Sequence, residues 1–381
     1  EKLAQHDFDA QAMSNIKNSV KSFMPYIELK DFESRNGPID PVIGSAQIDV
    51  YITYSVDSIG LSNKQIIVTG GFGFIGSRLV LAILKQTNYD VKIIDKMTYA
   101  SDISRVFFES AETTGIYASE GGVPRVTHLK KDINDVTSEE LLDAEYIVNF
   151  AAETHVDNSI SDGRPFIQSN IEGVFNLLEC SKDSKTLRKF FQISTDEVYG
   201  DMCDLRGTPS ADETFKLRPS SYYSASKASA DLLVQAAART FGIKYLITRT
   251  CNNFGPNQDP EKFLPKLIKS IKEDSAVPVY GDGMQSREWL HADDNARIIL
   301  QLLLSSAENE IYNVGSGSHY KNLEIVEYVG KVLGKEVKRE HVADRLGHDK
   351  VYKIDSTKVI KKLGRKVFLG LEEFLKNEVE R

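Results

Sequence analysis

Three polar residues, Thr195, Asp196 and Glu197, follow one another directly after the apolar stretch 189–194. Adjacent carboxylates repel each other, and burial of either one costs further free energy. Two carboxyl groups in close contact tend to share a proton, which supplies one acid and one base at neutral pH. The triplet therefore indicates a proton-transfer site, and a solvated turn at a strand end is the simpler alternative.

A second candidate pair, Tyr223 and Lys227, stands four residues apart at the start of a helical stretch. Positions i and i+4 lie on one face of a helix. A nearby ammonium favours the phenolate and lowers a tyrosine pKa that is normally about 10. Such a tyrosine can take a proton from a sugar hydroxyl while hydride leaves the same carbon. The alternative is a surface contact of the kind found on any helix.

A glycine triplet, Gly70, Gly73 and Gly76, lies between an apolar strand and a helix. A tight turn, a close approach to a pyrophosphate and close helix packing each favour the absence of a side chain. Asp95 ends the next strand, where a carboxylate accepts hydrogen bonds from ribose hydroxyls and repels a 2′-phosphate. The pattern predicts an NAD site rather than an NADP site, and a glycine-rich turn without a ligand is the alternative.

These residues require a scaffold, and apolar strands alternate with amphipathic helices from residue 64 onward. Strands are predicted at 64–71, 91–96, 144–152, 189–194 and 244–250, and helices at 77–86, around 171–182 and at 226–242. The alternation predicts an α/β fold, a Rossmann-type doubly wound parallel sheet covered on both faces. Asp132 and Ile133, in the segment KKDIND, end a further strand between 91–96 and 144–152, where they are either neighbours of an adenine or part of an ordinary strand-end turn.

The predicted domain organisation has three parts. Residues 1–63 form an N-terminal arm of unknown role with one strand at 48–56, and residues 64–250 form the NAD-binding domain. Residues 251–381 are mainly a smaller substrate-binding domain, with some segments returning to the Rossmann sheet.

Composition excludes several functional classes. The chain has 381 residues and a net charge of −8, which argues against a nucleic-acid-binding surface. No apolar run approaches the roughly 20 residues of a membrane span, and no signal peptide is expected. The three cysteines show no metal-ligand spacing, so reduced thiols and a cytoplasmic location are predicted.

The sequence resembles the extended short-chain dehydrogenase/reductase family, and within it the nucleotide-sugar 4,6-dehydratases. The resemblance runs from about 64 to about 363, and its blocks occur in one order: GGFGFIGS, IIDKMTYAS, NFAAETHVDNSI, ISTDEVYG, PSSYYSASKASADLL, TRTCNNFGPNQDPEKFLPKLI, VYGDGMQSREWL, YNVGSGSHYKNLEIV and DRLGHDKVYKID. Several positions depart from the usual pattern; among them, Phe72 stands where alanine is usual and Tyr222 where proline is usual.

The resemblance implies a role for each candidate residue. Thr195, Tyr223 and Lys227 form the hydride-transfer triad, Asp196 is the acid and Glu197 the base of dehydration. The cofactor-binding set is Gly70, Gly73, Phe74, Ile75, Gly76, Asp95, Lys96, Asp132, Ile133, Ala151, Ala152, Tyr223 and Lys227. The substrate-binding set is Thr195, Asn252, Glu261, Lys262, Arg287 and Arg345.

The implied reaction is the NAD-dependent dehydration of a nucleotide-activated hexose to its 4-keto-6-deoxy sugar. The expected substrate is dTDP-glucose, with UDP-glucose as the alternative. A UDP-sugar 4-epimerase or decarboxylase on the same scaffold is a competing interpretation, and a non-catalytic NAD-sensing protein is another. The resemblance also implies a homodimer.

Overall fold

The computed structural model describes residues 64–107, 125–203, 210–364 and 368–379. The predicted N-terminal arm, residues 1–63 with its strand at 48–56, lies outside the described residues. None of the described helices is long and apolar enough to cross a membrane.

The described residues form strands and helices that alternate through the first half of the chain. The strands are β1 (Gln65–Thr69), β2 (Asp90–Ile94), β3 (Val126–Leu129), β4 (Ala144–Asn149), β5 (Lys189–Thr195), β6 (Tyr245–Thr250), β7 (Asn252–Phe254), β8 (Val277–Tyr280), β9 (Ser286–His291), β10 (Glu310–Val314), β11 (His319–Lys321) and β12 (Arg339–Val342). The α-helices are α1 (Phe74–Gln86), α2 (Ser104–Phe107), α3 (Val156–Ser161), α4 (Arg164–Ile167), α5 (Gly173–Ser181), α6 (Tyr222–Phe241), α7 (Phe263–Lys272), α8 (Ala292–Leu304), α9 (Asn322–Leu333), α10 (Thr357–Leu363) and α11 (Leu371–Val379).

Seven of the described strands form one parallel sheet in the order β10-β6-β5-β4-β1-β2-β3. Its central strands are the most buried because helices cover both faces, and every residue of β5 and β6 is buried. The strand order reverses between β1 and β4, which opens a crevice at their carboxyl ends. The predicted α/β doubly wound fold is therefore confirmed.

Smaller sheets, β11-β9-β7 and β12-β8, lie in the C-terminal part of the chain. A separate apolar cluster supports them and includes Phe254, Trp289 and Phe374. β10 pairs with β6, so a segment from beyond residue 251 does join the main sheet.

Two local structures position the polar candidates. The last residue of β5, Thr195, caps a short 3₁₀ turn, Asp196–Tyr199, by accepting a hydrogen bond from the Glu197 amide. Helix α6 begins at a capping box formed by Ser221 and Ser224 and extends four residues further toward its N-terminus than the sequence predicted. Its first turn therefore carries Tyr223, and its second carries Lys227.

Candidate active site

The glycine loop brings the backbones after β1 and β4 into close approach. Gly70 has a φ of +64°, and a Cβ there would lie 2.8 Å from the Ala151 amide nitrogen. A Cβ on Gly76 would collide with the Gly70 carbonyl oxygen. The N-terminus of α1 adds N–H groups that no helical carbonyl satisfies. The loop is therefore a backbone cradle of the kind that binds a diphosphate.

Asp95 is buried at the end of β2 and holds the loop that follows. Its carboxylate accepts hydrogen bonds from the Phe72 amide at 3.1 Å, the Met97 amide at 2.9 Å and the Ser101 hydroxyl at 2.8 Å. Lys96 beside it lies 3.5 Å from carboxylate oxygens of both Asp132 and Glu153. Asp95 thus orders the loop as well as lining the cavity next to it.

The acid pair occupies the turn after β5 in two different environments. Asp196 is 2% exposed; its Oδ1 accepts from the Thr195 hydroxyl at 3.3 Å, and its buried Oδ2 has no hydrogen-bond partner among the described residues. Burial, Glu197 and Glu288 raise the pKa of Asp196 well above its ordinary value, and Arg287 partly opposes this.

Glu197 has more positive charge around it than Asp196 has. Burial raises the pKa of Glu197, while Arg287, Arg345 and Lys262 lower it. The environments therefore separate the two carboxyl groups, since Asp196 keeps its proton more readily and Glu197 releases its proton more readily. Such a separation assigns one acid and one base at a single pH.

Tyr223 and Lys227 are both buried beside this turn. Burial, Glu197 and Asp196 raise the pKa of Tyr223, and contact with the Thr195 side chain lowers it. Lys227 Nζ donates a hydrogen bond to the Ile193 carbonyl oxygen at 2.6 Å, and burial lowers its pKa to about 8. The pKa of Tyr223 is therefore raised in this structure and not lowered as predicted, because burial and two carboxylates both favour the neutral phenol.

A buried arginine, Arg287, is held in place by hydrogen bonds and by an aromatic ring. Arg287 is 7% exposed and donates hydrogen bonds to the carbonyl oxygens of Ser286, Asp349 and Lys350 at 2.9, 2.8 and 3.2 Å. Its guanidinium carbon lies 4.3 Å from the centroid of the Tyr352 ring. These contacts fix the planar donor group, which suits a diphosphate.

Two cavities meet at the acid pair. The first, with a volume of about 340 Å³, is lined by every predicted cofactor-binding residue and by Thr195, Asp196 and Glu197. The second, of about 320 Å³, is lined by Arg287 and Arg345. Glu197, Asn252, Glu261 and Lys262 line both cavities. The structure thus brings every predicted site residue to one of two adjoining cavities.

Sequence reasoning missed several residues at these cavities. Tyr352 and Asp349 hold Arg287 although they follow it by more than sixty residues, and no local pattern connects them. The ion pair between Arg345 and Asp157, at 3.3 Å, joins segments still further apart. Only a family-level comparison of the block DRLGHDKVYKID could have suggested them.

Comparisons with known proteins agree with this geometry. Residues 66–315 match the model of the NAD dependent epimerase/dehydratase family. The chain is 42% identical to the low-salt glycan biosynthesis protein Agl12 of Haloferax volcanii, over 77% of this chain and 91% of that protein. It is 36% identical to dTDP-glucose 4,6-dehydratase 1 of Escherichia coli, over 83% and 92% of the two chains.

Comparison with solved structures also finds a dehydratase and an epimerase. DesIV, the dTDP-glucose 4,6-dehydratase of Streptomyces venezuelae solved with NAD and dTDP, superposes with a TM-score of 0.76 and 35% identity, covering 83% of this chain and 96% of that chain. The UDP-glucuronic acid 4-epimerase of Bacillus cereus gives a TM-score of 0.73 and 29% identity, covering 83% and 98%.

Proposed function

The chain belongs to the NAD dependent epimerase/dehydratase family, and from this membership we propose that it is an NAD-dependent nucleotide-sugar 4,6-dehydratase. It is a hydro-lyase, and dTDP-glucose is its expected substrate. The observation that carries the proposal is the consecutive pair Asp196 and Glu197, which lies beside Tyr223 and whose second member lines both cavities. A 4-epimerase needs no acid and base for expelling a hydroxyl.

The residues of the first cavity fit NAD. The glycine loop and the N-terminus of α1 would hold the diphosphate, Asp95 and Lys96 would meet the ribose, and Asp132 and Ile133 would lie near the adenine. Ala151 and Ala152 would pack along the cofactor at the crevice between β1 and β4. When bound, NAD supplies a hydride acceptor for C4 of the sugar and returns the same hydride to C6.

The substrate would occupy the second cavity. Arg287 and Arg345 would bind its diphosphate, and Asn252, Glu261 and Lys262 would line the passage toward the sugar. This arrangement would place the hexose at the junction of the two cavities, where the acid pair and Tyr223 lie.

The chemistry follows from making the C5 proton acidic. Tyr223 takes the proton of the 4-hydroxyl as C4 becomes a ketone, and Thr195 holds that hydroxyl. Lys227 supplies the positive charge that the buried phenolate needs. Glu197 then removes the C5 proton, now α to a carbonyl, and protonated Asp196 gives its proton to the departing 6-hydroxyl. Protonation of C5 by Glu197 accompanies the return of the hydride to C6. The proton taken up by Tyr223 then passes through solvent to Asp196, so that each group regains its starting protonation state.

The test is the substitution Glu197→Gln. We expect it to block water loss while hydride transfer at C4 continues, so that reduced cofactor accumulates with dTDP-glucose. Tyr223→Phe should suppress cofactor reduction altogether. Absorbance of the reduced nicotinamide and deuterium incorporation at C5 from D₂O separate the steps.

The control for this test is Glu273→Gln, since Glu273 is exposed directly after the C-terminus of α7 and pairs only loosely with Lys269 at 4.0 Å. It should behave as the wild type. Wild-type product formation by the Glu197→Gln variant would remove Glu197 from the mechanism. Comparison of dTDP-glucose, UDP-glucose and GDP-mannose as substrates would identify the nucleotide.

We also propose a homodimer in the cytoplasm. Phe175 on α5 and Leu232 on α6 are more than half exposed, and these two helices pack side by side. Apolar side chains on adjacent helix faces suit a two-fold helical interface. The three cysteines are free, as is usual in a reducing compartment. Analytical ultracentrifugation tests the dimer, and a monomer at micromolar concentration would refute it.

The proposed division of the chain remains 1–63, 64–250 and 251–381. The separate apolar cluster around Phe254 and Trp289 supports the C-terminal boundary.

A further inference from the structure

A buried ion pair lies next to the proposed catalytic residues, and the mechanism above does not use it. Asp231 is fully buried and Arg249 is 2% exposed, and Arg249 Nε donates to Asp231 Oδ2 at 3.0 Å. The other carboxylate oxygen, Oδ1, is buried without a hydrogen-bond partner among the described residues. Burial of a charged pair is costly, and replacement by apolar residues is often neutral or favourable for stability. The pair therefore suggests a role beyond stability.

The carboxylate end of this pair lies next to the catalytic lysine. Asp231 follows Lys227 by one turn of α6, so both side chains lie on the same buried face of the helix. The only hydrogen bond of the Lys227 ammonium among the described residues goes to a neutral acceptor, the Ile193 carbonyl oxygen. Asp231 is the acid one turn away on the same buried face, and its charge opposes the effect of burial on the Lys227 pKa.

The guanidinium end reaches the turn that carries the acid pair. Arg249 Nη1 donates to the Tyr199 hydroxyl at 3.0 Å, and the guanidinium carbon lies 5.0 Å from the Tyr199 ring centroid. The same hydroxyl donates to Asn313 Oδ1 at 2.7 Å. Because Tyr199 is the last residue of the turn Asp196–Tyr199, one arginine connects the dehydration turn to the helix of hydride transfer.

We propose that Asp231 and Arg249 are positioning residues that serve both halves of the reaction. Asp231 keeps the buried Lys227 ammonium charged, so that it can stabilise the Tyr223 phenolate. Arg249 holds Asp231 in place and anchors the turn of Asp196 and Glu197 through Tyr199. The inference rests on the proposed dehydratase function.

Several other groups could affect the titration of Lys227. Tyr223 lies on its own helix, Asp196, Glu197 and Tyr199 lie on the turn, and Arg249 lies on β6. Each of them keeps its own side chain when Asp231 alone is altered, and Arg249 then loses its carboxylate partner. A second variant that keeps the charge, Asp231→Glu, is therefore measured beside the variant that removes it.

The experiment is Asp231→Asn, an isosteric change that removes the charge. Single-turnover cofactor reduction with dTDP-glucose is measured against pH. We expect the alkaline limb to move to lower pH by about one unit, with about a fivefold slower reduction at pH 8 and an unchanged substrate KM. A uniform loss at every pH would show a merely structural role and would overturn the proposal. A pH profile that matches the wild type would overturn it as well.

Three further variants keep the test decisive. Asp231→Glu keeps the charge and should restore the alkaline limb, and a shift like that of Asp231→Asn would contradict the proposal. If Asp231→Asn does not fold, Arg249→Lys is measured instead, and it should shift the limb in the same direction because it loosens Asp231. Tyr199→Phe should leave the limb in place and slow water loss, so that reduced cofactor accumulates.

The effect of the Asp231 charge on the titration of Lys227 can be measured without turnover. NMR of ¹³Cε-labelled lysine, with the Lys227 resonance assigned by Lys227→Met, follows the titration of this ammonium directly. Asp231→Asn should lower the pH of that titration. If the wild type dehydrates no nucleotide sugar yet the NMR shift occurs, the proposed function fails while the link between Asp231 and Lys227 stands. An unchanged titration overturns the link itself.

Discussion

The cofactor cavity and the substrate cavity are built by different means. The first depends on backbone. Glycines 70, 73 and 76 lie in the loop after β1 and the first turn of α1, and the backbones after β1 and β4 approach each other closely. The second depends on side chains from distant segments, as where Arg287 is held by the carbonyl of Asp349 and the ring of Tyr352. A backbone cradle fails when any atom is added, whereas a side-chain site fails when a particular charge is removed. The two regions should therefore respond to different substitutions.

The largest effect is expected from Gly76→Ala in the cofactor cradle. The added Cβ would overlap the Gly70 carbonyl oxygen, which is backbone and cannot rotate away. Overpacking of this kind costs about 1–3 kcal/mol, and the loop must shift to relieve it. We expect NAD affinity to fall by about 100-fold, measured by calorimetry.

Gly370→Ala is the matched control, because a Cβ there meets no atom within 4 Å. It should leave NAD affinity unchanged. Normal NAD binding by the Gly76→Ala variant would show that the loop tolerates added atoms, and the contrast between the cavities would disappear.

A smaller effect is expected from Arg287→Met in the substrate cavity. A charge-assisted hydrogen bond contributes about 1.5–3 kcal/mol, so loss of the fixed guanidinium should lower kcat/KM by about 30-fold. NAD affinity should not change, because Arg287 lines the second cavity and not the first.

Arg345→Met tests whether the burial of an arginine determines the size of this loss. The side chain of Arg345 is 26% exposed and pairs with Asp157, so we expect a loss of only about threefold. Arg339→Met serves as a surface control, since that residue pairs with Glu327 away from both cavities. Equal losses for Arg287→Met and Arg345→Met would mean that burial does not distinguish the two arginines.

The same contrast explains which features the sequence could predict. The glycine spacing, Asp95 and the pair Tyr223 and Lys227 depend on local periodicity, and the structure places them as the pattern requires. The contacts of Arg287 with Tyr352 and of Arg249 with Asp231 depend on tertiary packing, which no short pattern encodes. The strand expected at 48–56 lies outside the described residues.

The packing of Phe72 is a feature that the sequence could not predict. Its departure from the family pattern raised a question about the glycine loop, yet its side chain is fully buried and leaves the cradle unobstructed. The ring packs edge-on against His128 at a centroid distance of 4.8 Å. The sequence predicted the position of the loop, and only packing explains why a large residue fits there.

The remaining effect is on stability and concerns Glu288, a buried acid of the C-terminal part. It is 1% exposed on β9, and burial raises its pKa from 4.5 to about 7, against the opposing effect of the Gly317 and Ser316 amides. The folded protein therefore binds this proton more tightly than the unfolded chain does. As pH rises from about 4.5 to about 7, the unfolded chain releases the proton first, and the free energy of unfolding falls.

Glu288→Gln cannot titrate, so it should remove this contribution. We expect its free energy of unfolding to vary less with pH in that window than that of the wild type, by up to about 3 kcal/mol, measured by urea denaturation. Glu308→Gln is the control, because Glu308 is half exposed and pairs with Lys244 on the surface. No corresponding variant exists in the glycine loop, since residues 70–76 carry no titratable side chain. Parallel pH curves for wild type and Glu288→Gln would mean that Glu288 is already ionised in the folded protein, with its charge stabilised by the Gly317 amide and His319.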